Sequence, residues 1–593
     1  MKTNYQKVLC VAVLLGSAVT VSAQEKKKDL NREMTLEREY DPTVQDANKV
    51  NTLPEIKEPE VTKRTIDYSP FTLPTDPEKQ ITVLPSGNIM TQLDANKRRG
   101  YLHLGAGMHL NIDGDFGYHI LSTEKDKLNL FFSHRSTNGK ANYVDDYYYY
   151  QIDKDTKAKL NDNWGGLNYA HVFEKAILNL GAQYRYTGFN YWGVPSGYSP
   201  NDPDEYISQS DRETNQVNQT IQVKAGIEAH EDADVFYLVD LDYINFSHKY
   251  GLNEQLDGPT EHTIDAKFDL NARFNGEQRL GVSGQVEYFN YNLPVYPAGT
   301  GACLFQNHAE IIVSPYYKVK GDNWNVKLGA NIMFVTGEDD SFTASPNVEA
   351  DVEVADRTVL YLTAKGRLYS NSAYETSLVN RYANPTEEIA PTREWLNGQL
   401  GIKSGVAKSF WFDVFAGYRI ASDDCLFLPA RSFNGFAGFL DAERFVNTKR
   451  FFAGANLKYS YQDFLEISVK GVYNHWTAEF NDETDWTPSK PDIEHAWGKP
   501  KVELDADLTV KPINKLAISL NYHLATDRYT ELNGAQVVKL DNINELNLTG
   551  SYTFNDTFGL FVKATNLLNQ NYELYYGYPA QGISVMGGVN INF

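Results

Sequence analysis

The 593-residue sequence predicts an all-β fold: a transmembrane antiparallel β-barrel of about 22 strands, preceded by an extended N-terminal periplasmic arm. Three observations predict it. From Gly100 onward apolar and polar residues alternate with a period of two, in runs of about ten residues or more. Short and long connections alternate between these runs. The aromatic residues, 13 % of the chain, are dominated by 39 Tyr, which suit interfacial girdles and long loops.

Composition excludes the main competitors. A mean hydropathy of −0.47 with one long apolar run rules out a helical membrane bundle, because each spanning helix needs about 20 apolar residues. A net charge of −22 offers no electrostatic footprint for nucleic acid. Three cysteines (Cys10, Cys303, Cys425) are too few for a disulfide-built scaffold or a multi-cysteine metal site.

Residues 1–23 read as a secretory signal peptide. Lys2 and Lys7 precede an apolar stretch from Val8 to Val19, and Val21-Ser22-Ala23 supplies small residues before Gln24. Residues 24–99 form the arm. Its prolines, among them Pro42, Pro54, Pro59, Pro70, Pro74, Pro77 and Pro85, prohibit long helices and central strands. Residues 100–593 form the barrel.

Within it, Ile264–Phe274 shows the pattern clearly: every even position is apolar and every odd one is polar or charged. A soluble sandwich would also alternate, but its strands usually run about 5–6 residues, whereas a barrel strand crossing a bilayer needs about 9–11. Register is pinned as well. A one-residue slip in Val502–Val510 would turn Glu503, Asp505 and Asp507 toward lipid. Twenty-two such runs are found, an even number, as a single-chain bacterial barrel requires. The first hairpin is expected to turn at Asp113–Asp115. Short turns on one side and long loops on the other place both termini in the periplasm.

The C-terminus resembles a known family. Lys563-Ala564-Thr565-Asn566-Leu567-Leu568-Asn569-Gln570-Asn571-Tyr572 is followed by Gly577-Tyr578-Pro579-Ala580-Gln581-Gly582 and a final strand ending Val589-Asn590-Ile591-Asn592-Phe593. This resembles the end of TonB-dependent receptors, which have 22-stranded barrels. The terminal alternation Val589, Ile591, Phe593 resembles the assembly signal of outer-membrane barrels. Two features depart from the pattern. Ile583 stands where the family usually has Arg, and the 76 residues of the arm are too few for the family's plug domain.

The resemblance implies a Gram-negative outer-membrane barrel that binds or transports a solute. Its implied partners are outer-membrane lipid and either the TonB energy-coupling system or another envelope protein. A passive porin-like channel and a non-transporting scaffold remain alternatives. No enzyme or cofactor is expected. There is no G-x-S-x-G, and His230-Glu231-Asp232-Ala233-Asp234 lacks the second His of H-E-x-x-H. Candidate ligand contacts are Tyr147, Tyr148, Tyr149 and Tyr150 in a long loop, where stacked rings suit flat apolar faces. Asp202, Asp204 and Glu205 are weaker candidates for Ca²⁺, their bland reading being a solvated acidic loop. His103, His109 and His119 share the inward face and read as wet lumen residues. Cys303 and Cys425 fall in long loops, where an exported chain could pair them.

Overall fold

The computed structural model describes residues 98–593 except 145–154, 194–213, 231–232, 299–301, 338–340, 408, 430–438, 444–445, 481–492, 494 and 533–535. The signal peptide, nearly all of the arm, Tyr147–Tyr150, Asp202, Asp204 and Glu205 lie outside the described residues.

Twenty-two strands pair antiparallel in chain order, and the first, Gly100–Gly107, pairs with the last, Ser584–Asn592, to close the barrel. Closure removes every free sheet edge, as a bilayer demands, because lipid offers no hydrogen bonds to an open backbone. The ends of the chain meet at the seam. The Gly100 and Phe593 amides donate to each other's carbonyls at 2.8 and 2.9 Å.

The alternation sorts side chains as the sequence requires. In Thr260–Asn275, Ile264, Leu270 and Phe274 are exposed on the outer face, while Glu261, Thr263, Asp265 and Asn271 are buried within. The register of Val502–Ile513 also holds. Its three carboxylates point inward, where Asp505 meets His523 Nδ1 at 2.7 Å and Asp507 and Glu503 accept from Asn521 and Asn474.

Differences from the expected strand bounds are largest at the long-loop end. Asp126–Asn142 and Asp155–Val172 run 17 and 18 residues, well past their oily segments. Thr137, Asn138, Lys140, Lys157 and Lys159 carry no alternation because neither face there meets lipid. The backbone ladder continues regardless, since it needs only a partner strand.

The first hairpin corrects the expected turn. Asp113 and Asp115 lie inside strand Ile112–Ser122, and the chain reverses at Met108–Leu110, a 3₁₀ turn with His109 and Leu110 at φ 60° and 53°. Gly107 permits this: a Cβ there would sit 2.4 Å from the Val585 carbonyl oxygen. His109 therefore belongs to a turn. His103 instead stacks on Phe561 at 4.2 Å and bonds Asn590, and His119 pairs with Asn129.

Candidate functional site

The long loops converge over one end of the barrel and bury an apolar core of their own. Its centre is Tyr578, 1 % exposed, from the Gly577-Tyr578-Pro579 segment. The ring stacks on Tyr382 at 4.0 Å and lies 4.8 Å from Trp192. Leu440, Phe427 and Tyr575 complete the cluster, and Phe189, Tyr191 and Phe439 continue it. Side chains from four widely separated connections thus form one lid.

Backbone bonds interlock these loops. Ala383 and Leu440 bridge in parallel, with the Leu440 amide donating to Tyr382 O at 2.9 Å and Asn384 N to Leu440 O at 3.0 Å. The Leu304 amide donates to Thr386 O, Gln306 N to Glu388 Oε1 and Ala442 N to Glu387 Oε2. Tyr143 Oη donates to Trp192 O at 2.7 Å. The segment after Tyr369 enters the mouth as a short helix, Ala373–Val379, capped by Ser372. It packs on the inner wall at Phe246, where the Tyr374 amide donates to Glu261 at 3.1 Å.

The C-terminal motif explains itself physically. Asn566 and Asn569 adopt φ 50° and 47°, a region Asn tolerates better than most residues. Asn566 Oδ1 accepts from the Gln570 amide, and its Nδ2 donates to the carbonyls of Gln570 and Gln581. Asn569 Oδ1 accepts from Ile583 N at 3.2 Å, through the backbone, so this contact needs no Arg at 583. The motif is a fastener that aims Tyr578 into the lid. A buried guanidinium finishes it: Arg528 donates to the carbonyls of Leu574, Asp541 and Glu573 at 2.6–2.9 Å.

A second polar knot ties the lid to the rim. Arg419 reaches Glu394 at 2.5 Å and Asp424 at 2.7 Å, and Thr448 donates to Asp424. Burial alone would raise the Asp424 carboxyl; Arg419 overrides it and holds it at about 2. Burial pushes Lys499 down to about 8 against the pull of Asp424. It raises the Cys425 and Cys303 thiols to about 12 and 11, and both cysteines are unpaired. They are poor nucleophiles in that state. Among the described residues no group of three His, Cys, Asp or Glu side chains is placed to hold a metal ion.

Val589 and Ile591 lie on the same strand face as the exposed Val585, and Phe593 stacks on Phe116 and Tyr118 at about 6 Å. Sequence reasoning missed Tyr382, Trp192 and Arg528, which carry no local signal. Tyr578 was visible only as a motif letter.

A closed 22-stranded antiparallel barrel with long loops gathered at one end is the fold of the TonB-dependent receptor barrel. The chain is similar in structure to the siderophore receptor PirA of Acinetobacter baumannii, at 11 % identity and a TM-score of 0.61 over 84 % of this chain and 81 % of that one. It is similar to the ferric enterobactin receptor PfeA of Pseudomonas aeruginosa (11 %, 0.60, 84 % and 80 %). It is also similar to the ferric-catecholate import receptor Fiu of E. coli K12 (9 %, 0.58, 84 % and 82 %). At such identities the likeness is one of fold. No protein-family model and no curated protein sequence matches the chain.

Proposed function

We propose that this chain is a solute receptor and transporter of the Gram-negative outer membrane, with its long loops outside the cell and both termini in the periplasm. The barrel binds and passes a solute rather than catalysing a reaction. One observation carries the reading against a passive porin: the loops are interlocked across the mouth through Trp192, Tyr382 and Tyr578. A barrel of this width cannot fill its lumen with wall side chains alone. A lid that packs like a protein core is therefore a gate to be opened by something.

Energy coupling through TonB follows from the likeness of the barrel, with the arm at residues 24–99 as the segment that would meet the periplasmic machinery. Tyr147–Tyr150 sit in sequence between the two tallest strands, and we assign them to first contact with the solute. Asp202, Asp204 and Glu205 belong to the neighbouring long loop.

Single-channel recording in a planar bilayer tests the gate. The full chain is expected to stay closed, and Tyr578→Ala to open intermittently. A large constant conductance of the unaltered protein would establish the porin instead. Uptake that is indifferent to the energy-coupling system would remove TonB from the proposal.

A further inference from the structure

Below the lid, one sector of the inner wall carries an unusual row of charge. Asp242, Asp265, Glu287 and Glu310 stand directly opposite one another on four successive strands. Their neighbours Leu241, Ile264, Val286 and Ile311 alternate to the other face, so all four carboxylates point inward. Directly opposed like charges destabilise a sheet. Here three such pairs occur side by side.

The lysine ion pairs fall on only one end of the row. Lys224 pairs with Asp242 at 3.3 Å and Lys267 with Asp265 at 2.8 Å. Asp265 also accepts from Gln285, and Asp242 from Gln222. Glu287 has no ion pair of this kind among the described residues. Glu310 is 1 % exposed, yet neither carboxylate oxygen accepts a hydrogen bond among the described residues. The basic group beside it is His308, whose Nε2 lies 3.5 Å from Oε1, an ion pair only when the imidazole is protonated, and makes no hydrogen bond. A further carboxylate faces this end of the row: Glu375, on the helix that enters the mouth. An uncompensated buried carboxylate is costly, and a chain that keeps several together needs a counter-charge.

We propose that this sector, centred on Glu287 and Glu310, is a lumen site for an organic cation bearing ammonium or guanidinium groups. The proposal rests on the receptor–transporter reading and names the class of solute that reading leaves open. A coordinated metal suits the site less well, because among the described residues no three His, Cys, Asp or Glu side chains converge. A flexible polyamine does, because its N–H groups can meet carboxylates spaced along a row, each roughly 5 Å from the next. Tyr374, half-buried on the helix above, and Phe289, buried in the wall behind, give the cation aromatic neighbours.

The test is calorimetric titration of the full chain in detergent micelles with spermidine, run on the unaltered protein and on Glu287→Gln/Glu310→Gln. Binding is expected in the first and at least tenfold weaker in the second, with Glu124→Gln, on a short turn, unchanged. The same titration on Tyr578→Ala, with the lid loosened, covers the case in which the lid bars entry. Heat-modifiable gel migration shows that each barrel is folded, and Glu287→Gln alone serves if the double variant is not. No binding in either lid state, equal binding in the Gln variants, or binding of Mg²⁺ in place of spermidine would overturn the site. A closed, gated channel that ignores spermidine would leave the receptor reading standing and remove only this inference.

Discussion

The barrel wall and the lid are built on opposite plans from the same chain. The wall buries polar groups and exposes apolar ones: Glu310 is 1 % exposed and Leu241 50 %. The lid does the reverse, burying Trp192, Tyr191, Leu440 and Tyr578 at its centre. The wall is held by uninterrupted ladders between strands adjacent in sequence, such as Tyr191–Thr214 through Ala176–Ala229. The lid is held by sparse bonds between loops hundreds of residues apart, such as Trp192 to Tyr578. Under the proposed reading the lid would part without unfolding the wall, as a gate on a rigid pore requires.

Four experiments would break or sharpen that contrast. The largest effect is expected from Tyr578→Ala, which empties the hub and should cost the lid about 3–5 kcal/mol, in the range of buried aromatic truncations. Limited proteolysis should then cut the loops while gel migration shows an intact barrel. Loss of both together would mean that wall and lid are one cooperative unit. Next is Leu241→Arg, mid-strand on the outer face, expected to cost about 2–4 kcal/mol of barrel stability in lipid while leaving the lid's protease resistance alone.

Acid comes third. Asp424 sits at about 2 in the folded protein, below the ordinary carboxylate. Its contribution is therefore present above about pH 4 and is lost as pH falls through about 2, a loss on the order of 2 kcal/mol. Proteolysis with an acid-active protease should show the rim loop opening in that window, and Asp424→Asn should abolish the pH dependence. The smallest effect is expected from Asn569→Ala, which forces a left-handed backbone on alanine and removes the Ile583 contact, for about 1–2 kcal/mol. Asn569→Gly should restore part of it, and chemical denaturation of the loop, followed by Trp192 fluorescence, would measure both.

Legibility in the sequence divides along the same line. The 22 strands were readable because each crosses lipid and must alternate; Ile264–Phe274 states its two faces residue by residue. Where strands leave lipid, as at Thr137–Asn142, the signal stops although the ladder does not. The first turn was misplaced because Asp113 and Asp115 look like turn residues, while Gly107 is needed for an approach to Val585 that no local pattern records. Tyr143 Oη meeting Trp192 O, or Arg528 tying its own hairpin at Asp541 to the carbonyls of Glu573 and Leu574, leaves no trace at either position alone.

The sequence by itself determined the wall: strand number, facing and register follow from period-two alternation, because a lipid face and a wet face cannot be exchanged. Only the tertiary structure decided what stands across and inside that wall. The convergence of Trp192, Tyr382, Leu440 and Tyr578, and the alignment of Asp242, Asp265, Glu287 and Glu310, depend on closure. Closing the barrel brings together residues that share no spacing along the chain, and it is there that the lid and the charge of the lumen arise.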